Sequence, residues 1–166
     1  MKKYEFTGET KQWWGRTLHR IRATVSFGDV SAGEVGGWIE KEENLSHEGN
    51  AWVYGEAQVY GKAQVYGEAQ VWGNAKVWGD AEVWGDGHCL VIGPMGSRKD
   101  FTTFFRTKDL KIAVSCGCFR GDIEAFVAQV RQTHGDNGHA KRYLAAVEFA
   151  KACIDLSPAT AEDEGC

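Results

Sequence analysis

From Ala51 to Asp86 apolar and polar positions recur every six residues, AWVYGE AQVYGK AQVYGE AQVWGN AKVWGD AEVWGD, each unit reading Ala-x-Val-aromatic-Gly-polar. A fixed period of this kind marks an architecture of stacked repeats. Ala and Val sit two apart, so both point to one side of a strand while the residue between them and the aromatic point to the other. The pattern places Ala57 and Val59 inward and Gln58 and Tyr60 outward. It puts a corner at Gly55, Gly61, Gly67, Gly73, Gly79 and Gly85, where glycine accepts backbone angles that other residues avoid. Each hexapeptide then forms one side of a triangle. A step of three repeats stacks Tyr54 on Trp72, Tyr60 on Trp78 and Tyr66 on Trp84, an aromatic ladder on each side.

Working backward by the same step aligns Gly37 under Gly55 and Ile39 under Ala57, so GEVGGWIEKEENLSHEGN reads as a degenerate first coil. Upstream, LHRIRATVSF reads as a strand covering the open end. After Gly87 the period stops, and HCLVIGPMG, DFTTFFRT and LKIAVSCGCF read as three strands. Ile123, Phe126, Val127 and Val130, then Tyr143, Leu144, Val147 and Ile154, recur at helical spacing and predict two helices. The expected organisation is a capping segment over 1–32, a repeat coil over 33–87, an α/β cap over 88–156 and a disordered acidic tail over 157–166. The fold class is mainly β, a short parallel β-helix with a cap of three strands and two helices.

These repeats resemble the left-handed β-helix of hexapeptide-repeat proteins, in which three units complete one coil. The family's inward aliphatic is matched by Val53, Val59, Val65, Val71, Val77 and Val83, and its small residue four places later by Ala57 and its equivalents. Glycine here lies two places after the aliphatic, with Tyr or Trp at the familiar glycine position. The resemblance implies a left-handed coil and, commonly, a trimer. Over about two thirds of the chain, particularly GGWIEKEENLSHEGNAWVYG and the repeats, it looks like uncharacterised bacterial and phage-encoded β-helix proteins, from which no catalytic residues carry over.

The chain has 166 residues, and no apolar run approaches the roughly 18 that a membrane helix needs. The polar start MKKYEFTGETKQ lacks the apolar segment of a signal peptide. A cytoplasmic protein without membrane contact is the expectation. Cys89, Cys116, Cys118, Cys153 and Cys166 form neither a CxxC pair nor a disulfide framework, so free thiols and no metal or cofactor are expected. Formal charge is uneven: +3 over residues 1–30, −7 over 31–87, +4 over 88–142 and −4 over the remainder. Basic surface at the cap and N-terminus of an acidic shaft suits a small anionic ligand, and net acidity argues against general DNA binding.

Candidate chemistry lies chiefly in the cap. In Gly93-Pro94-Met95-Gly96-Ser97-Arg98-Lys99, glycines expose backbone N–H groups and a hydroxyl and two basic side chains follow, a donor set for phosphate or carboxylate. It lacks the spacing of a Walker motif, and a plain basic turn is the competing reading. Arg98, Lys99 and Arg106 would neutralise phosphate, Ser97 and Thr102 would donate hydrogen bonds, and Phe101 or Trp14 would stack on a base. Thr102 and Thr103 face opposite sides of a strand, so only one looks into a given pocket. Arg20 and Arg22, two apart on the N-terminal strand, would add charge. Cys118 with His134 or His139 is a weaker nucleophile-and-base candidate, and His134 to His139 also reads as a helix C-cap, loop and N-cap.

Three functions compete at this level. A non-catalytic oligomer, trimer favoured, would sequester a phosphate-bearing, nucleotide-like signal, as small phage anti-defence sponges do. A coenzyme A-dependent acyltransferase is implied by many hexapeptide-repeat proteins, yet only His47 and His88 flank the regular coils. A structural or polymer-forming role explains the shaft and leaves the basic cap unexplained.

Overall fold

The computed structural model describes residues 1–158; the expected disordered tail and Cys166 lie largely or wholly outside that range. The repeats form strands β4 (Trp52–Val53), β5 (Gln58–Val59), β6 (Gln64–Val65), β7 (Gln70–Val71), β8 (Lys76–Val77) and β9 (Glu82–Val83). Strand β4 pairs in parallel with β7, β5 with β8 and β6 with β9, each with the strand three repeats further along. Consecutive repeats therefore belong to three different sheets in rotation, which makes a three-sided coil. Every inward Ala from Ala51 to Ala81 and every inward Val from Val53 to Val83 is at most 1 % exposed. Gly67 shows what the corner demands: its φ is +64°, and a Cβ there would lie 2.9 Å from the Trp84 carbonyl oxygen. Gly85 is extended instead, at φ −149°, because the chain leaves the coil there for a short 3-10 turn (Asp86–His88).

The first coil is longer than the repeat predicts. Strand β3 (Val35–Ile39) pairs with β5 so that Ile39 meets Val59, and Leu45 bridges Val65, each step two places longer than three repeats. Ile39 thus lies beneath Val59 and not beneath Ala57. The step returns to three full repeats where Trp52 meets Gln70, so the extra length falls in the Ser46–Asn50 corner.

A strand not anticipated from the polar N-terminus, β1 (Tyr4–Trp13), forms a hairpin with β2 (Arg16–Ala23), and β2 continues the sheet in the order β1-β2-β3-β5-β8. At its base Tyr4, Ile21 and Ala23 join the coil core and cover its open end. Register shifts between Phe6 and Thr10 and between Arg20 and Arg22 interrupt the ladders, and such bulges bend a strand. The distal half accordingly lies along one outward face of the coil, where Leu18, fully buried, packs with Trp38 and Tyr60 beside Trp13 and Trp78.

That wrapping changes the expected ladders. Tyr54 and Trp72 stack with ring centroids 3.6 Å apart and planes 4° apart, and Trp72 stays 54 % exposed. Tyr60 is only 6 % exposed, and Trp78 turns its edge to Phe105 of the cap. The second ladder is therefore an internal interface, and the apolar surface left for self-association is smaller than three open ladders would give.

The cap is an antiparallel sheet of four strands, one more than expected: β10 (Cys89–Met95), β11 (Asp100–Arg106), β12 (Ile112–Cys116) and β13 (Phe119–Asp122). Helices α1 (Ile123–His134) and α2 (Gly138–Cys153) follow. Asp122 and Asn137 are their N-caps, accepting from the Ala125 and Ala140 amides, and Gly135 ends α1 at φ +56°. The His134–His139 segment is thus a cap-loop-cap connection. Alternation along β11 gives the sheet two faces: Phe105 joins the coil core, while Phe104 packs with the helices. Among the described residues no helix is long and apolar enough to cross a membrane.

Candidate functional site

The hairpin, the covered coil face and the cap turn meet at a polar cleft of about 360 Å³ lined by Lys11, Trp13, Glu56, Gln58, Asn74, Lys76, Lys99, Asp100 and Phe101. Each contributor is set by a local rule. Lys11 and Trp13 alternate on β1; Gln58 and Lys76 hold the outward position of their repeats and are ladder partners. Lys99, at φ +50°, closes the turn between β10 and β11, and Asp100 and Phe101 are the first two residues of the second of these strands.

Glu56 organises one wall. It accepts from Arg20 Nη1 at 2.7 Å and Trp38 Nε1 at 3.1 Å, and Lys11 Nζ lies 3.6 Å away. The hydrogen bond from Arg20, and then that from Trp38, hold its carboxyl below the ordinary range. Burial lowers the Lys11 pKa, and Glu56 opposes that shift. Across the cleft, Lys76 Nζ lies over the Trp13 ring at 4.7 Å. No carboxylate lies within 4.0 Å of the Lys76 or Lys99 ammonium among the described residues. Lys11, Lys76 and Lys99 therefore share the cleft with two carboxylates, Glu56 and Asp100, and Arg20 adds a fourth cation through Glu56.

The sequence-derived candidates divide. Lys99 and Phe101 line the cleft. Ser97 and Arg98 lie on the exposed part of the turn, and Arg98 acts on Tyr143, whose hydroxyl is pushed up to about 12 by burial first and then by Cys116 and Asp100. Thr102 faces the helices, fully buried, and donates to Cys116 Sγ at 3.2 Å, whereas Thr103 looks toward the coil and accepts from the Lys76 amide at 3.0 Å. Arg106 is 2 % exposed, with Nη1 donating to the Asp155 carbonyl at 3.1 Å and the guanidinium over Trp84 at 5.2 Å. Thr102 and Arg106 thus belong to the cap interior and not to the cleft. Trp14 sits at the hairpin tip, 66 % exposed, beside Arg120, and the neighbouring Trp13 takes the cleft position. Arg20 reaches the cleft only through Glu56; Arg22 is engaged by Glu5 outside it, with Nε donating at 3.2 Å.

Lys11, Trp13, Gln58 and Lys76 were not singled out from the sequence. One signal was legible: Lys76 is the only basic residue at the x position of the six repeats. Cys118 is exposed in the turn after β12, while Cys116 faces Tyr143, Sγ to Oη 3.9 Å, near a small hollow that also holds His134. Among the described residues no group of three or more His, Cys, Asp or Glu is placed to hold a metal ion.

A second hollow, of about 500 Å³, lies beside the first coil and is lined by Glu42, Glu43, Ser46, His47, Gln64 and Tyr66, among others. His47 stacks on Tyr4, its Nδ1 accepts from the Lys3 amide at 3.3 Å, and its Nε2 is 3.8 Å from Glu42. Burial lowers its pKa, with Glu42 opposing; because Nδ1 accepts from the Lys3 amide, the proton of the uncharged ring belongs on Nε2. His88 is 2 % exposed, with Nδ1 accepting from the Trp84 amide at 3.3 Å.

No protein-family model matches the chain. It is 51 % identical over 37 residues to an uncharacterised acetyltransferase, YdcK, of Escherichia coli (strain K12). That stretch, about two coils in length, is 22 % of this chain and 11 % of the relative.

Proposed function

We propose that this protein captures a small phosphate-bearing, nucleotide-like ligand without chemically changing it, in the cleft between hairpin, coil and cap. One observation carries the reading: Lys11, Lys76 and Lys99 come from three separate segments to one polar recess, and two of the three have no carboxylate partner there. Clustered ammonium groups in a partly enclosed recess attract phosphate, and Trp13 and Phe101 add aromatic surface to the same walls. The hexapeptide resemblance brings a left-handed coil and a trimeric assembly into this reading, with the protein acting as a sponge of the phage anti-defence kind. The test is a thermal-shift screen with cyclic dinucleotides, ADP-ribose derivatives and acetyl-coenzyme A, followed by mass spectrometry of recovered ligand. Stabilisation by a nucleotide recovered unchanged, and lost in Lys76→Met/Lys99→Met, is expected. Equal stabilisation of that double variant would sink the site.

The partial match to an acetyltransferase favours acyl transfer as the second reading. Its base would be His47, beside the larger hollow. A general base needs a free lone pair facing the substrate, and on His47 that lone pair is taken by the Lys3 amide. Acetyl-coenzyme A turnover abolished by His47→Gln would bring this reading to the front.

A further inference from the structure

Helix α2 buries Ala140, Tyr143, Ala146, Val147 and Ala150 against the rest of the cap. A helix whose apolar face is already covered is expected to turn a polar face to water. Helix α2 departs from that rule, because Phe149 is 54 % exposed, the only large exposed hydrophobic among the described residues of the cap. With 3.6 residues to the turn, Ala145 falls at the middle of the exposed face. Arg142 and Phe149 line up along one edge of that face, and Lys141 and Glu148 along the other. Among the described residues Lys141 and Arg142 have no carboxylate within 4.0 Å. Glu148 is paired with Lys151 at 3.2 Å, an exposed contact of little energetic weight.

This face is complementary to itself. A twofold axis through Ala145, perpendicular to the helix, lays a second α2 antiparallel on the first and sets each edge against its own copy. Lys141, four residues from Ala145, then meets the second copy's Glu148, three residues from it, at about 6 and 4.5 Å along the helix from the axis. By the same operation Arg142 meets the ring of the second copy's Phe149, a cation over an aromatic face. A parallel pair would instead put Arg142 against the second copy's Lys141, like charge on like charge.

We infer that α2 pairs antiparallel with α2 of a second copy of this chain, through reciprocal Lys141–Glu148 ion pairs and Arg142–Phe149 contacts about a twofold axis at Ala145. The inference does not depend on what the cleft binds.

Sedimentation equilibrium of the full chain counts the chains per particle. Loading from roughly 5 to 200 µM suits an interface as small as a single helix pair. An even number of chains is expected. Lys141→Glu and Glu148→Lys should each halve the mass, since each sets like charges face to face, and the double variant Lys141→Glu/Glu148→Lys should restore it. The two positions lie seven residues apart, about 10.5 Å along one helix, so the rescue reports a contact between copies. Both are exposed, and changes at such positions leave folding stability nearly unmoved. Phe149→Ser, which leaves every charge in place, should halve the mass as well. A monomer or an odd number of chains in the wild type overturns the inference. So does an even number that neither charge reversal lowers, or that the double reversal fails to restore.

Discussion

Arg120 Nε donates to the Tyr60 hydroxyl at 3.0 Å, joining the last cap strand to a coil residue 60 positions earlier. The same guanidinium donates through Nη1 to the Gly117 and Phe119 carbonyls, each at 2.9 Å, and lies over the Trp14 ring at 5.7 Å. One side chain thus ties cap, coil and hairpin tip together. Arg120→Ala is expected to cost about 1–3 kcal/mol. Hydrogen exchange should speed up at the tip of the β1–β2 hairpin while amides of β4 and β7, on another side of the coil, stay protected. Unchanged exchange at the tip would show that the clasp contributes nothing.

Arg106 and Lys76 should separate by experiment. Arg106→Met removes a buried donor and leaves the Asp155 carbonyl without its partner. It should lower Tm by several degrees, with ligand binding per folded molecule preserved. Lys76→Met, in a half-buried position, should leave Tm nearly unchanged and weaken binding. The reverse outcome would return Arg106 to the site.

Lys3 gives a pH signature. Its ammonium donates to the Ala51, Gly49 and Glu48 carbonyls at 2.7, 3.2 and 3.3 Å, and burial lowers its pKa to about 8, with Glu68 opposing. Between about pH 8 and the ordinary value of 10.5 the unfolded chain binds more of this proton than the folded one. This group's contribution to stability therefore rises with pH across that window. Below pH 8 both states are protonated and the contribution is flat. Urea denaturation at pH 7.5 and 9.5 should show Lys3→Met losing that rise relative to wild type; parallel curves would contradict the shift.

Thiol reactivity should follow exposure. Cys118 and Cys153 are exposed. Part of Cys89 reaches the surface, but it packs against the coil core and burial pushes its thiol up to about 12. Peptide mapping after brief iodoacetamide treatment at pH 8 should find Cys118 and Cys153 labelled and Cys89 labelled only after denaturation. Early labelling of Cys89 would mean that the cap lifts from the coil.

How much could be read in advance differs from element to element. The helix ends at Asp122, Gly135 and Asn137 follow from caps written within a few residues of each end. Strand β1 was hidden because its outward residues are polar and its partner, β2, lies beyond a turn at Trp14 and Gly15. Strand β13 was hidden because Phe119–Asp122 is short and runs straight into a helix. The candidate turn at Ser97–Lys99 was visible, but which of its neighbours share its surface was not. Strand alternation separates Thr102 from Thr103 without telling which of the two faces the coil.

By itself the sequence determined the coil: a six-residue period fixes which side chains turn inward, because alternation and glycine corners act over a few neighbouring residues. Only the tertiary structure decided which of three chemically similar outward faces is covered. That choice depends on where bulges bend the hairpin and on how the cap sheet seats on the last coil. It is why Gln58 is buried and Gln64 is not, although each lies in a copy of the same pentapeptide, Ala-Gln-Val-Tyr-Gly.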